Sequence, residues 1–329
     1  MGKLVDGKWV ESSIIKSNKS GAYDRQPRTF HDVISFDNPE FKPETDRYHL
    51  YISYACPWAT RTLMYRTLKG LEDHISVSVV HPDILDKGWS FDTNFPDTTG
   101  DCLYGLTYLH ELYQKAQSDI STSVTVPVLW DKKTSQIVNN ESLEIIRMFN
   151  VGFNDLTGNT EDFYPEPLRP EIDKWNEEIY HGINNAVYRS GFAKTQAAYD
   201  EAVTALFTAL DKVEAHLNGK RYLVGDQLTE VDLCLIPTLL RFDLVYYVHF
   251  KTNVRRIVDY PNLSRYTAEL HAMDAVGKNH NFDHIKRHYY ISHSEINPYR
   301  IVPKGPAEFL KQQNQDERYD RLAKQTFCN

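Results

Sequence analysis

Cysteine is scarce in this sequence: four stand among 329 residues, at positions 56, 102, 234 and 328. So few thiols in so long a chain provide no disulfide framework, which indicates a reducing compartment. The sequence also lacks an apolar run near the roughly 20 residues that a membrane-spanning helix requires. Its first residues have no secretory apolar core, and Asp6 and Glu11 are unusual in an import peptide. These absences predict a cytoplasmic protein.

An excess of positive charge is missing as well. The net charge is -8, which argues against nucleic acid or an anionic membrane as the main partner. The composition is that of an ordinary globular protein, with 41% hydrophobic and 25% charged residues. Because the chain is longer than one average domain, we expect two domains with additional terminal segments.

One cysteine, Cys56, lies where a predicted strand passes into a predicted helix. Leu50 and Ile52 alternate with polar or aromatic neighbours, as in a short strand, and apolar residues at helical spacing follow as far as Gly70. Pro57 suits the first turn of a helix because its missing N–H would have no partner there. Cys56 therefore stands at the positive end of a helix dipole, which stabilises a thiolate. A lone cysteine is more often buried and inert, but this context favours a reactive nucleophile.

The third residue after Cys56 selects the chemistry. A dithiol redox motif has a second cysteine there, whereas this sequence has Ala59. A mixed disulfide formed at Cys56 must then be resolved by a thiol from solution, and glutathione is the abundant candidate.

The surrounding residues predict a small α/β unit with a mixed sheet, in the order strand, helix, strand, strand, strand, helix. We expect residues 1–45 to form an arm that packs on the body and 46–150 to form the unit itself. Residues 82–121 are a long insertion, of the kind that is usually functional. The later strands are predicted at 75–80, 124–130 and 137–138, and a helix capped by Asn140 or Ser142 follows. Pro127 within the third strand marks an edge, a bulge or a cis bond.

The second half of the sequence predicts an all-α domain over residues 165–291, after a linker rich in Gly, Asp and Pro. Helices are expected at 172–188, 199–217, 231–247 and 260–273. Thr229 and Asp232 match a capping box at the start of the third of these helices. Prolines in 292–329 indicate an extended C-terminal tail.

These motifs together resemble a cytosolic glutathione transferase, and four longer ones resemble its Xi class, the glutathionyl-hydroquinone reductases. The four are Tyr-Ala-Cys-Pro-Trp-Ala (54–59), Val-Asn-Asn-Glu-Ser-Leu-Glu-Ile-Ile-Arg (138–147), Asn-Asn-Ala-Val-Tyr-Arg-Ser-Gly-Phe (184–192) and Asn-Phe-Asp-His-Ile-Lys-Arg-His-Tyr (281–289). The resemblance covers residues 46–306. It implies a thioredoxin-like α/β domain followed by an α-helical glutathione-transferase domain.

The resemblance implies that Cys56 is the catalytic nucleophile and that glutathione is the co-substrate. The implied glutathione contacts are Trp89, Ser123, Val124, Thr125, Val126, Glu141 and Ser142. The chemistry agrees, because a tripeptide can pair in β fashion beside an interrupting proline. A helix N-terminus also offers free N–H groups to the γ-glutamyl carboxylate, and a glutamate can take its ammonium. Taken alone, an Asn-Glu-Ser sequence would more often be a helix cap and a tryptophan a packed indole.

Three tyrosines complete the site that the resemblance implies. Tyr188 would be the proton donor at an aromatic substrate site, and Tyr246 and Tyr289 would line that site and support the thiolate. A phenol can face an aromatic ring while it donates a hydrogen bond. Any tyrosine chosen at random among the 21 in the chain would more often serve packing.

The sequence departs from the family pattern at three positions. Ser123 replaces a common Arg, Thr60 a usual His, and Leu244 a usual Pro. These departures leave the nucleophile unchanged but bear on glutathione affinity and substrate preference.

His280, His284 and His288 are spaced four apart and would share a helical face, as metal ligands can. Metal sites usually need a further Cys or carboxylate, and Asp283 lies about 100° around the helix from His284. We therefore expect a structural role and no metal.

The predicted function is reductive deglutathionylation of glutathionyl-hydroquinones by a homodimer, the oligomeric state usual in the family. Alternatives are an omega-like thioltransferase or dehydroascorbate reductase, and a non-catalytic binding module built on the same fold.

Overall fold

A β-hairpin lies near the N-terminus in the computed structural model, which describes residues 2–13 and 15–306. Its strands, β1 (Gly2–Val5) and β2 (Lys8–Glu11), are joined by Asp6 and Gly7. Both turn residues have a positive φ, 48° and 70°, as a two-residue type I′ turn requires, and Asp-Gly is a preferred dipeptide for it. The sequence predicts only an arm here, and the structure adds a hairpin to that prediction.

Parts of the arm are joined to the α/β unit by backbone hydrogen bonds. Leu4 and Thr122 exchange two of them, at 2.9 and 3.1 Å, and the Asp32 N–H donates to the Val138 carbonyl at 3.0 Å. The expectation that the arm packs on the body is confirmed at these points.

The elements after the arm follow the predicted order of a small α/β unit. They are β3 (Tyr48–Ile52), α1 (Pro57–Leu68), β4 (Ile75–Val79), β5 (Ile84–Leu85), β6 (Gly88–Trp89), α2 (Leu109–Ala116), β7 (Val128–Asp131), β8 (Gln136–Asn139), α3 (Ser142–Val151) and α4 (Asn154–Thr157). Within the described residues, β4, β3, β7 and β8 form a mixed sheet in that order, with β3 parallel to β4 and antiparallel to β7. All residues of β3 are buried, so Cys56, just beyond this strand, emerges from the middle of the sheet.

The third predicted strand, 124–130, starts too early. Strand β7 begins only at Val128, and the Val126–Pro127 peptide bond is cis. Of the three expectations for Pro127, the cis bond is confirmed. Residues 124–127 therefore lie outside the sheet ladder, and backbone groups of Thr125 and Val126 contact the Tyr113 and Cys56 side chains instead.

The second half is helical, as predicted. Its helices are α5 (Arg169–Ile179), α6 (Ala186–Gly191), α7 (Gln196–His216), α8 (Glu230–Arg241), α9 (Tyr247–His249), α10 (Pro261–His271), α11 (Asp274–Gly277) and α12 (Phe282–Ser292), with 3-10 turns at Glu166–Leu168 and Ile257–Asp259. Two helices that the sequence predicted as continuous, 172–188 and 231–247, are interrupted by π-helical turns at Tyr180–Asn184 and Phe242–Tyr246. Such turns are frequent at functional sites.

The chain divides into two compact units. The first contains the described residues of 1–16, 25–162 and 279–302, and the second those of 17–24, 163–278 and 303–306. Helix α12 thus belongs to the unit that contains the sheet.

The C-terminal part of the chain was expected to be an extended tail. Its described part, 293–306, contains turns and neither helix nor strand, and the rest of that prediction, 307–329, lies outside the described residues. Among the helices that the structure describes, none has the length and apolar character of a membrane span.

Candidate active site

Cys56 is the N-cap residue of α1, and Pro57 is the first residue of that helix. The predicted passage from strand through Cys-Pro to helix is therefore confirmed. The cysteine is partly exposed, and its Sγ atom lies 3.6 Å from the Val126 carbonyl oxygen. A thiol at the positive end of a helix and open to solvent has the surroundings of a nucleophile.

The segment 123–127 passes beside this thiol. Val126 is buried, and its carbonyl accepts the contact from Cys56. The preceding residue, Thr125, is tied to the Tyr113 side chain: its carbonyl accepts from the Tyr113 hydroxyl at 2.9 Å, and its N–H donates to the same oxygen at 3.3 Å. Backbone groups of this segment therefore border the Cys56 thiol.

The third group of candidates stands at the start of α3. Glu141 is the N-cap residue and accepts from the Leu143 N–H at 3.3 Å, so the expectation that Asn140 or Ser142 caps this helix was wrong. Ser142 is the first helical residue and is buried, and its hydroxyl donates to Glu141 Oε1 at 3.3 Å. A carboxylate has lone pairs for about four donors, so Glu141 retains capacity for an ammonium.

Trp89 stands on β6, in the short hairpin at the start of the insertion. Its indole is buried and stacks on the imidazole of His288, with ring centroids 5.1 Å apart. Tyr289 is buried next to it on α12, and its ring meets His288 and His293 edge-on. The histidine at position 288 therefore joins the insertion to the helix that carries Tyr289.

Tyr188 and Tyr246 come together in the second unit, with ring centroids 6.0 Å apart. Phe250 contacts both: it lies parallel to Tyr246 at 5.3 Å and edge-on to Tyr188 at 5.5 Å. Tyr246 ends the π-helical turn in 242–246, and Tyr188 lies in α6, just after the other π turn. Both interruptions of the predicted helices therefore adjoin a candidate tyrosine.

Comparisons with known proteins identify the family. Residues 55–151 match the glutathione S-transferase N-terminal domain, and residues 196–269 match the glutathione S-transferase C-terminal domain. The fold is similar to the crystal structure of the glutathione-S-transferase Xi from Phanerochaete chrysosporium, with a TM-score of 0.87 and 50% identity over 89% of this chain and 96% of that one. The chain belongs to the Xi class of glutathione transferases.

An Escherichia coli protein of known structure supports this assignment. The Xi-class chain is 48% identical to the glutathionyl-hydroquinone reductase YqjG of strain K12, over 94% of this chain and 97% of the relative. The structure of YqjG with glutathione bound superposes with a TM-score of 0.86, at 47% identity, over 94% of this chain and 97% of that one.

In the Xi-class chain, the histidine row has structural partners. His284 Nε2 lies 2.6 Å from the Pro96 carbonyl, and His288 Nδ1 lies 2.7 Å from the Pro82 carbonyl. A carbonyl only accepts, so these nitrogens carry the protons. Burial lowers the pKa of His284 and keeps its ring neutral. Among the residues that the structure describes, no group of three or more His, Cys, Asp or Glu is placed to hold a metal ion.

The positions that depart from the family pattern are also accounted for in part. The Thr60 side chain is fully buried, and its hydroxyl donates to the Cys56 carbonyl at 2.9 Å. Leu244 is buried within the 242–246 π turn. Ser123 is partly exposed in the segment beside the thiol.

Tyr113 is a further residue of this region, which the sequence did not indicate. This residue is fully buried on α2, and its hydroxyl contacts both Thr125 and the Asn140 side chain. No signal in the sequence separates it from the other tyrosines, because both partners are distant along the chain.

Proposed function

We propose that this Xi-class chain reduces glutathionyl-hydroquinones to hydroquinones, with glutathione as the co-substrate and Cys56 as the nucleophile. The observation that carries the proposal is the partly exposed Cys56 thiol at the start of α1, beside the Val126 carbonyl. Ala59 stands where a resolving cysteine would be, so a glutathione molecule must complete the cycle. The relative that is 48% identical to this chain is named as a reductase of this kind.

The proposed reaction has two steps, and each is a nucleophilic attack of a thiolate on a sulfur atom. The Cys56 thiolate attacks the glutathione sulfur of the aryl thioether, which forms the Cys56–glutathione disulfide and breaks the bond between sulfur and the ring. The departing aromatic carbon takes the electron pair of that bond and a proton, for which we propose Tyr188 as the donor. A second glutathione thiolate then attacks the mixed disulfide, releases oxidised glutathione and restores the Cys56 thiolate.

Glutathione binding is assigned to the segments around the thiol. The Ser123–Val126 backbone would pair with the peptide, and the start of α3, with Ser142 and Glu141, would take its γ-glutamyl end. Trp89 would contact the rest of the molecule. Tyr246 and Tyr289 would line the aromatic substrate site and stabilise the thiolate by hydrogen bonding.

The assembly and location follow from the family and the composition. We propose a homodimer in the cytoplasm, without nucleic-acid or membrane partners. Light scattering coupled to size-exclusion chromatography should give twice the mass of the chain, which is 38.2 kDa. A single-chain mass at micromolar concentration would contradict the dimer.

The test is anaerobic incubation of glutathionyl-menadiol, prepared by reduction of glutathionyl-menadione, with glutathione. We expect menadiol and oxidised glutathione in equal amounts, and no menadiol from the Cys56→Ser variant. The Cys102→Ser variant, which removes an exposed thiol elsewhere in the first unit, is the matched control and should retain full activity. Turnover of dehydroascorbate or small disulfides without menadiol formation would indicate the omega-like alternative, and no turnover on any of them the binding module.

A further inference from the structure

Helix α2 lies within the insertion and bonds to each segment that the proposed function assigns to glutathione. Its Tyr113 hydroxyl reaches the Thr125 backbone and the Asn140 side chain. His110, one turn earlier, places Nδ1 3.1 Å from the Lys87 carbonyl, next to the strand that carries Trp89. Burial lowers the pKa of His110, so its ring is neutral at pH 7 and donates from Nδ1.

The Tyr113 hydroxyl makes all the hydrogen bonds that a phenol can make. A phenol has one proton to donate and lone pairs that accept. Here the proton goes to the Thr125 carbonyl at 2.9 Å, while the Thr125 N–H and the Asn140 amide both donate to the oxygen at 3.3 Å. The ring is completely buried and meets Phe30 edge-on at 6.0 Å. One oxygen atom thus joins the segment beside Cys56 to the residue just before the Glu141 cap.

These contacts set the positions of the groups that lie one residue further along the chain. Thr125 precedes Val126, whose carbonyl contacts the Cys56 thiol. Asn140 precedes Glu141 and Ser142, and its Oδ1 also accepts from the Phe30 N–H at 3.2 Å. A shift of about 1 Å in such groups is enough to lose a large part of their binding and rate.

We propose that Tyr113 is a positioning residue for glutathione: its hydroxyl holds the Thr125–Val126 backbone and the start of α3 at the separation that the tripeptide spans. The assignment rests on the proposed function, which places glutathione on these two segments. Tyr113 acts through Thr125 and Asn140 and touches neither the substrate nor the reacting sulfur.

The test measures glutathione binding in a protein that cannot form the mixed disulfide. Tyr113→Phe keeps the ring and removes the hydroxyl, and calorimetric titration of glutathione in the Cys56→Ser background gives the Kd directly. Loss of hydrogen bonds to one hydroxyl should weaken binding by roughly 10-fold or more. In the enzyme with Cys56 intact, KM for glutathione should rise by a similar factor, while kcat at saturating glutathione should change by less than about 3-fold.

Tyr48→Phe is the matched control. Tyr48 is also completely buried in the first unit, and its hydroxyl donates to a backbone carbonyl, that of Lys42, at 2.7 Å. Its loss should lower the melting temperature without changing the Kd for glutathione. Equal Kd values for glutathione in Cys56→Ser with and without Tyr113→Phe would overturn the positioning role and leave the proposed function intact.

A second variant covers the case in which Tyr113→Phe does not fold. Asn140→Ala removes one partner of the hydroxyl and should weaken glutathione binding in the same direction, and the double variant should be less than additive if both single variants fold. Unchanged binding in Asn140→Ala would contradict the proposal. A Cys56→Ser protein with native Tyr113 that does not bind glutathione at all would overturn both this assignment and the proposed glutathione site.

Discussion

The indole of Trp89 lies parallel to the imidazole of His288, with ring centroids 5.1 Å apart and planes inclined by 13°. Nδ1 of His288 also donates to the Pro82 carbonyl, so this ring connects α12 to the insertion through two contacts. His284 does the same through Pro96. His284 and His288 therefore serve packing next to a proposed glutathione contact.

The histidine row should accordingly need no metal. We expect exhaustive treatment with a chelator to leave the rate of menadiol formation unchanged, because the ring nitrogens at positions 284 and 288 are bonded to backbone carbonyls. Metal analysis of the purified protein should find no stoichiometric ion. Activity that disappears with the chelator and returns with zinc would contradict this prediction.

Cys56 should be essential for turnover. Cys56→Ser replaces the thiolate with a much weaker nucleophile, so reductase activity should fall below detection. Cys234→Ser, at a buried thiol in the second unit, should retain activity after correction for its folded fraction. Substantial menadiol formation by Cys56→Ser would exclude the proposed mechanism.

Tyr188 should act on the hydroquinone half of the reaction. An ordinary phenol, with a pKa of about 10, is protonated at neutral pH and can act as a general acid. Tyr188→Phe should therefore lower kcat on glutathionyl-menadiol by at least about 10². A small disulfide substrate should be affected much less, since its thiolate leaving group needs little proton donation.

The comparison between the two substrates separates catalysis from packing. Tyr188 is buried among Tyr246, Phe192 and Phe250, so lost packing would reduce both activities together. One preparation of Tyr188→Phe, with its melting temperature recorded, should serve for both assays. Equal losses on the two substrates, or no loss on either, would remove Tyr188 from the mechanism.

Asp232 should be a large contributor to the stability of the second unit. Its carboxylate is fully buried and accepts from the Thr229 N–H and hydroxyl, the Leu223 N–H and the Tyr266 hydroxyl, at 2.7 to 3.0 Å. In Asp232→Asn, an NH₂ group replaces one of the oxygens that accept from these donors, and this group is itself a donor. We expect the free energy of unfolding to fall by about 2–4 kcal/mol.

Urea titration followed by circular dichroism measures this change. Thr229→Ser is the matched control, because it keeps the capping hydroxyl of the confirmed capping box and should shift the midpoint little. An Asp232→Asn midpoint equal to that of the wild type would show that the buried carboxylate contributes nothing to stability.

The buried imidazole of His49 should make stability fall as the pH falls. It lies between the Ser76 and Ser78 hydroxyls, at 2.7 and 2.9 Å, and burial lowers its pKa to about 4. In the unfolded chain its pKa is about 6.5. Between these values the unfolded state binds more protons, so acidification favours unfolding, by about 2 kcal/mol at pH 5 for this residue.

The measurement is the urea midpoint at pH 7.5 and pH 5. His49→Gln cannot titrate and should show a smaller loss between the two values than the wild type. Other buried histidines, His110 and His284, have pKa values lowered by burial and add to the wild-type loss. His31 is exposed, and its hydrogen bond to Glu144 raises its pKa, so His31→Gln should not reduce the loss. An identical pH dependence in wild type and His49→Gln would contradict the assignment.

Local signals in the sequence were sufficient for several elements. The Cys56-Pro57 junction, the strand at β4 and the capping box at Thr229 are formed by residues close together along the chain, and each is present in the structure. The Asp6-Gly7 turn carried an equally local signal that predicts the N-terminal hairpin. In contrast, neither π turn follows from propensity, because each lies between helical segments that the sequence pattern joins into one continuous helix.

The sequence by itself determined the family and the position of the proposed nucleophile. A cysteine before a helix-starting proline, with alanine at position 59, supports the proposal of a reactive thiol that glutathione resolves. Only the tertiary structure decided that the Val126 carbonyl faces this thiol, that Glu141 rather than Asn140 caps α3, and that Tyr113 joins their segments. The reason is physical: the contacts of Val126 and Tyr113 link atoms from separate segments, and the direction of a side chain towards a distant partner, such as Asn140 towards Tyr113, depends on how those segments pack.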